Sequence, residues 1–271
     1  MAKIKFLILL ILCSFSPCGQ AESKLTQEQA QSLLEQANEA FRHANSATSD
    51  SEKADKLYTK AILNFEKIIS EGQIQNAGLY YNLANAYFLQ GNIGKAILNY
   101  RKAEKLDNSD TNIRKNLAFA RSKRIDKVSD KPEKRVMQTL FFWHYDFAIK
   151  TKFLLTCIFF GIFCISLTRI IWSGRSPSFT AIAVISGILT FCFMGSVVWE
   201  STTLAVRICG VITAESAEAR QGDGMNYPAS FKDPLHAGTE FDLLEIRPGW
   251  LQIRLSDGSD GWIPDSAAEL I

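Results

Sequence analysis

The chain has 271 residues, 47% of them hydrophobic, with 30 Lys and Arg against 28 Asp and Glu for a formal net charge of +2. That length leaves room for two small domains and a lipophilic part, so a single compact globule is not the expectation. The near balance of charge excludes a global polyanion-binding surface, so nucleic acid is not an expected partner.

Met1 to Ala21 carry Lys3 and Lys5, then "FLILLILCSF", then a small-residue exit at "GQA". Basic start, apolar run and small-residue end form the pattern of a secretory signal (1–21), with cleavage expected after Ala21. Cys13 and Cys18 follow Leu12 and Pro17, where a lipid-attachment motif wants a small residue, so lipidation is not expected. Of the six cysteines, three more (Cys157, Cys164, Cys192) lie in apolar runs and only Cys209 falls in a soluble region. This is not a disulfide scaffold.

The next zone, residues 27–124, is helical. With Ala77 as the first position of a helix pair, Tyr80, Leu83, Ala84 and Tyr87 fall on one face of the first helix, and Ala96, Tyr100 and Ala103 on one face of the second. Small residues let the helices approach, aromatics fill between them, and Gly91-Asn92 makes the turn. Ala61, Phe65 and Ile68 stand 35 residues before Ala96, Tyr100 and Ala103 and mark an earlier second helix. Its first helix is expected at Ser32–Ala44, with Asn45–Asp55 as a long turn. Thr111–Arg121 aligns as a third first-helix that caps the stack. These positions closely resemble the tetratricopeptide repeat, with Asn108 where that family often has Pro.

The resemblance implies an all-α solenoid whose first helices line a concave groove for a peptide or partner helix. Asn82 and Asn116 share one repeat position, and Asn38 and Asn85 share another. In peptide-binding members Asn at such positions holds the ligand main chain, because the amide both donates and accepts. Lys115 stands where some members place a carboxylate-binding Lys, while Leu34 and Tyr81 depart from that pattern. Partner binding by these residues and simple adherence to the repeat consensus are both open readings.

Residues 125–152 form a charged linker and an aromatic stretch. "RSKRIDKVSDKPEKR" (Arg121 to Arg135) mixes both signs around Pro132 and reads as a solvated connector. "FFWHYDF" (Phe141 to Phe147) precedes Lys150 and Lys152 and is expected to lie along a membrane surface. Two apolar spans follow, at 153–172 and 179–199, each near the ~20 residues a helix needs to cross a bilayer. "SGRSPS" between them allows only a hairpin. A cleaved signal exports the helical zone, the hairpin dips to the cytoplasm with Arg169 and Arg175, and the tail is exported again. Lys150 and Lys152 then flank the first span on the exported side, against the positive-inside tendency.

In the tail, 207–271, Phe241, Leu243 and Glu245, then Trp250, Ile253 and Leu255, suggest short strands, and "RPGW" and "SDGSDGW" supply tight turns. A small closed barrel is expected. The order of Val211, Ala217 and Arg220, "HAGTEFDLLE", "GWLQIRLSDGSDGWIP" and "AAELI" resembles a bacterial SH3-like (SH3b) domain. Trp250 and Trp262 could form a ligand cleft or serve as core and rim packing.

None of the three histidines, His43, His144 and His236, has metal-ligand spacing to a partner, and no phosphate loop or nucleophile elbow is present. Ser230, Asp233 and His236 could be imagined as a hydrolytic set, but such loop residues are common. No enzyme, metal or cofactor is expected. The module order as a whole resembles the BatE-type proteins of the bacterial aerotolerance (Bat) group. This resemblance implies a multidomain inner-membrane scaffold with two spans and both soluble domains on the periplasmic side. It also implies von Willebrand factor A domain membrane proteins and a MoxR-type AAA ATPase as partners. The alternative is an envelope sensor whose SH3-like tail binds peptidoglycan peptides.

Overall fold

The computed structural model describes residues 25–47, 51–128, 136–137, 139–145, 147–206 and 208–271. The expected signal lies outside the described residues. Five helices come first: α1 (Gln27–Ser46), α2 (Ser51–Ser70), α3 (Ala77–Gln90), α4 (Ile93–Leu106) and α5 (Thr111–Ser122). The starts of α1, α3, α4 and α5 are chemically marked. Thr26 and Gln29 form a capping box on α1, and Asn76, Asn92 and Asp110 accept backbone N–H groups at the heads of α3, α4 and α5. Gly91 ends α3 at φ 92°, a left-handed conformation that glycine adopts without the Cβ penalty.

Helix pairing follows the small residues. Ala30, Ala37, Ala40 and Ala44 recur on the buried face of α1 and admit Ala61, Phe65 and Ile68 of α2. Leu83, Ala84 and Tyr87 of α3 pack in the same core as Ala96, Ile97 and Tyr100 of α4, and Leu117 and Ala120 of α5 join them. Two boundaries differ from the sequence expectation. The first helix is longer than Ser32–Ala44, and the turn expected at Asn45–Asp55 is shorter, because α1 continues through Ser46 and α2 begins at Ser51. The Ser, Thr and Asp content there signals a turn, yet Lys53, Ala54 and Lys56 carry adequate helix propensity.

A one-turn helix, α6 (Phe142–Tyr145), leads to two long helices, α7 (Ile149–Ser173) and α8 (Pro177–Val206). Both are long and apolar enough to cross a membrane. The 25 residues of α7 span about 37 Å, more than a ~30 Å hydrocarbon core. They exceed the expected 153–172 and 179–199 at both ends. Outward faces carry exposed Phe153, Ile165, Ile171 and Phe191, whereas Thr156, Ser166, Ser186 and Ser196 are buried between the helices. Thr156 and Ser186 return their hydroxyls to carbonyls one turn back, which satisfies these buried groups within their own helices.

The tail forms a five-stranded antiparallel sheet of order β6-β5-β4-β1-β7 and a two-stranded pair β2-β3. The strands are β1 (Cys209–Ile212), β2 (Ser216–Ala217), β3 (Leu235–His236), β4 (Glu240–Arg247), β5 (Trp250–Arg254), β6 (Asp260–Pro264) and β7 (Ala268–Leu270). Isolated bridges join Arg220 to Ala229 and to Trp262. A bulge between Leu243 and Glu245 shifts β4 by one residue, so the alternation expected through Glu245 breaks there. The core residues of β5 are Leu251 and Ile253, and Trp250 lies on the opposite face.

The helical unit and the sheet are docked on one another. Val211 of β1 belongs to the helical core, and a Cβ at Gly94 of α4 would lie 2.9 Å from the Ile212 carbonyl. Around this contact sits a set of ion pairs. Arg121 holds Glu240 in a bidentate grip, Nε to Oε2 at 2.7 Å and Nη2 to Oε1 at 2.6 Å. Arg124 Nη1 and Arg101 Nε each lie 3.3 Å from the same carboxylate. Asp126 accepts from the His236 backbone N–H, the His236 ring and the Thr239 hydroxyl, and Lys95 pairs with Glu269. Arg121, Arg124 and Asp126 were read as part of a solvated connector. They are docking residues, which charge composition alone cannot distinguish from linker.

Burial by itself would raise the Glu240 pKa, but the Arg121 hydrogen bond and the charges of Arg121, Arg101 and Arg124 hold it below the ordinary glutamate value. Its contribution to stability is therefore fully present above that ordinary value and lost as pH falls through the lowered folded one. In Glu240→Gln we expect a loss on the order of 2–3 kcal/mol near neutral pH, less than a fully buried pair would cost because part of the group stays in solvent. Thermal unfolding of the detergent-solubilised chain against pH checks this: the wild type loses stability steeply in acid and the variant loses less.

Candidate partner-binding groove

Between α1 and α3 lies an open groove of about 590 Å³. Its floor is apolar, from Ala30, Leu34, Ile68, Ile74 and Leu79, and its polar groups are Gln27, Gln31, Glu35, Asn38, Asn76 and Asn82. Asn76 is committed to its helix, accepting from the Gly78 and Leu79 N–H groups. Asn38 and Asn82 are half-buried and make no side-chain hydrogen bond among the described residues. Each amide can therefore donate to and accept from a main chain laid in the groove.

The other predicted groove residues are placed differently. Asn85 Oδ1 accepts from the Tyr100 hydroxyl at 2.5 Å and from Asn116 Nδ2 at 3.0 Å, and Asn116 Nδ2 also reaches the Tyr81 hydroxyl at 3.0 Å. This network ties α3, α4 and α5 together. Burial pushes the Tyr100 phenol far above its ordinary pKa, so it remains a hydrogen-bond donor. Lys115 is exposed on α5. The predicted set thus divides: Asn38 and Asn82 share the groove, and Asn85 and Asn116 brace its neighbouring helices.

Trp250 and Trp262 share one face of the β5–β6 pair, since Gln252 rather than Trp250 stands opposite Trp262 and Trp250 lies one diagonal step away. Trp262 is 7% exposed, and the Arg247 guanidinium lies 4.6 Å above its ring. Asp223 and Glu245 hold that guanidinium in place. Of the imagined hydrolytic set, the His236 ring is oriented by Asp126 of the helical unit at 2.8 Å. Among the described residues no group of three or more His, Cys, Asp or Glu is arranged to hold a metal.

Comparison with known families fits this geometry. Residues 84–123 match the TPR repeat family model. The matched stretch takes in the second half of α3, all of α4 and all of α5, so the helical unit is a tetratricopeptide-like region. Such repeats generally mediate binding to partner proteins. No curated protein matches the chain.

Signals for the docking residues were weak, because Glu240 lies more than a hundred residues beyond Arg121 and Arg124 and each reads as surface charge. The division of the asparagines makes a prediction. Asn82→Ala should leave the unfolding temperature within experimental scatter, as surface changes usually fall within ±0.5 kcal/mol. Asn85→Ala should cost about 1–2 kcal/mol, because the buried Tyr100 hydroxyl loses its acceptor. Thermal melts of the two variants side by side provide the check.

Proposed function

We propose that this chain is a non-enzymatic membrane scaffold of the Bat type, whose tetratricopeptide groove and SH3-like tail hold partner polypeptides on the periplasmic side of the bacterial inner membrane. The observation that carries the reading is the open groove on the repeat stack with Asn38 and Asn82 lining it, neither committed to a side-chain hydrogen bond among the described residues. The antiparallel sheet of the tail, with tight turns at Gly249 and Gly258, supports an SH3-like assignment.

The arrangement at the hairpin also supports a scaffold. Lys152, 1% exposed, pairs with Glu200 and donates to the His144 carbonyl. Glu200 accepts as well from Asn108, which lies just beyond α4, and Lys150 pairs with Asp107 at 3.2 Å. The start of α7 and the end of α8 therefore meet the soluble body at one end of the hairpin. Two binding units fixed at one membrane site raise the effective concentration of each for a shared partner. These pairings also give Lys150 and Lys152 a structural reason to stand at that end, which eases their conflict with the positive-inside tendency.

The resemblance to the Bat group nominates von Willebrand factor A domain membrane proteins and a MoxR-type AAA ATPase as partners. A cell-wall reading gains nothing from Trp262, whose ring Arg247 covers. The test is co-purification of tagged full-length protein from gently solubilised native membranes, followed by mass spectrometry. The scaffold reading expects von Willebrand-type membrane proteins in the wild-type eluate and their depletion with Asn38→Ala/Asn82→Ala. Recovery of the chain alone, with cell-wall fragments retained, defeats it.

A further inference from the structure

The sheet carries an apolar surface that neither the groove nor the tryptophan face uses. Ile208, Leu244 and Ile246 are 49%, 40% and 59% exposed and line one hollow of about 460 Å³ with Asp242, Glu245 and Arg254. Single exposed apolar residues are ordinary, but three gathered on one surface need an explanation. The bulge helps create this one. Leu244 is the extra residue of β4, opposed by none on β5, and is turned out of the core into which Leu243 points.

Register gives this surface its direction. Cys209, at the start of β1, stands opposite Asp242, and Val211 stands opposite Glu240. Beyond Asp242, β4 therefore runs on the side from which the chain arrives out of α8. Its five further residues, Leu243 to Arg247, reach about 17 Å. From the Lys152–Glu200 level, α8 has six more residues to Val206, a rise of about 9 Å. The β4–β5 hairpin is long enough to return across that rise. Leu243 N–H also donates to the Ile208 carbonyl at 2.9 Å, which pins the hollow beside the exit of the span.

We propose that Ile208, Leu244 and Ile246 form a lipid contact, seated in the headgroup layer beside the end of α8. The proposal rests on the membrane reading above. The occupant is argued from continuity with the span: the patch begins two residues after α8 ends. Its lining sets Asp242 and Glu245 against the single cation Arg254, so it is not a basic patch that anionic headgroups would draw in, and apolar area drives the contact. It should therefore need no anionic lipid and should resist salt, unlike a basic surface patch.

The experiment uses the full chain in phosphatidylcholine nanodiscs, with native cysteines replaced by serine and one environment-sensitive fluorophore placed at Ile246→Cys. Controls carry the label at Ser256→Cys, in the turn at the far end of β5, and at Ile165→Cys on the outward face of α7. Nitroxide lipids labelled at the headgroup should quench the Ile246 label severalfold more than the Ser256 label, and equally at low and high salt. Equal quenching at the two β-unit sites overturns the proposal. So does an Ile246 signal that responds to protein concentration in detergent, which would assign the patch to a protein partner. Loss of acyl-chain nitroxide quenching at Ile165 would instead defeat the membrane reading itself, so the two failures are separable.

Discussion

Glu240 sits where the helical unit, the charged segment after α5 and the sheet all meet, and three guanidinium groups converge on it. A half-buried carboxylate without partners would be costly to place in a contact, and three arginines without a carboxylate would repel one another. Each side therefore needs the other. Apolar packing of Val211, Ile97 and Gly94 supplies the area of the interface, and the ionic cluster fixes its register, since a sheet shifted along α4 would strand both charges. The helical unit and the sheet are consequently held in one register, and the orientation of the groove follows from that docking.

A second ionic cluster joins that body to the hairpin. Lys152 is withdrawn from solvent and engages Glu200 and the His144 carbonyl, and Glu200 in turn accepts from Asn108 at the foot of the helical unit. Phe147 and Phe159 stack on Phe193 at 6.4 and 5.9 Å, which places the aromatic stretch against the spans. A lysine withdrawn from solvent to this degree keeps its charge where it is paired. The groove is thus tied to the two long apolar helices through α4 and Asn108.

Much of the fold was legible from local spacing. The pairings of Ala84 with Tyr87 and of Ala96 with Tyr100, the Gly91-Asn92 turn and the two apolar runs all report themselves within a few residues of sequence. What stayed hidden depends on distant neighbours. The bulge at Leu244 breaks an alternation that looked regular, and Arg121, Arg124 and Asp126 read as linker because their partners lie more than a hundred residues on. The candidate groove was legible by position but not by occupancy. Asn38 and Asn82 face it, whereas Asn85 is drawn into a network by Tyr100 and Asn116, which repeat spacing does not foretell.

The contact between Lys95 and Glu269 spans 174 residues. Helices α1 to α5 can close on one another soon after they are made, because their contacts are local. The outer face of α4, with Gly94, Ile97 and Arg101, cannot be covered until α7, α8 and the chain through Glu240 have followed, and Lys95 waits longer still for Glu269. During synthesis that face remains bare while the two long apolar helices are being made, so its covering is a late step. The repeat stack forms first and the sheet docks last, and an interruption between the two leaves an apolar, cationic surface open to any other chain nearby.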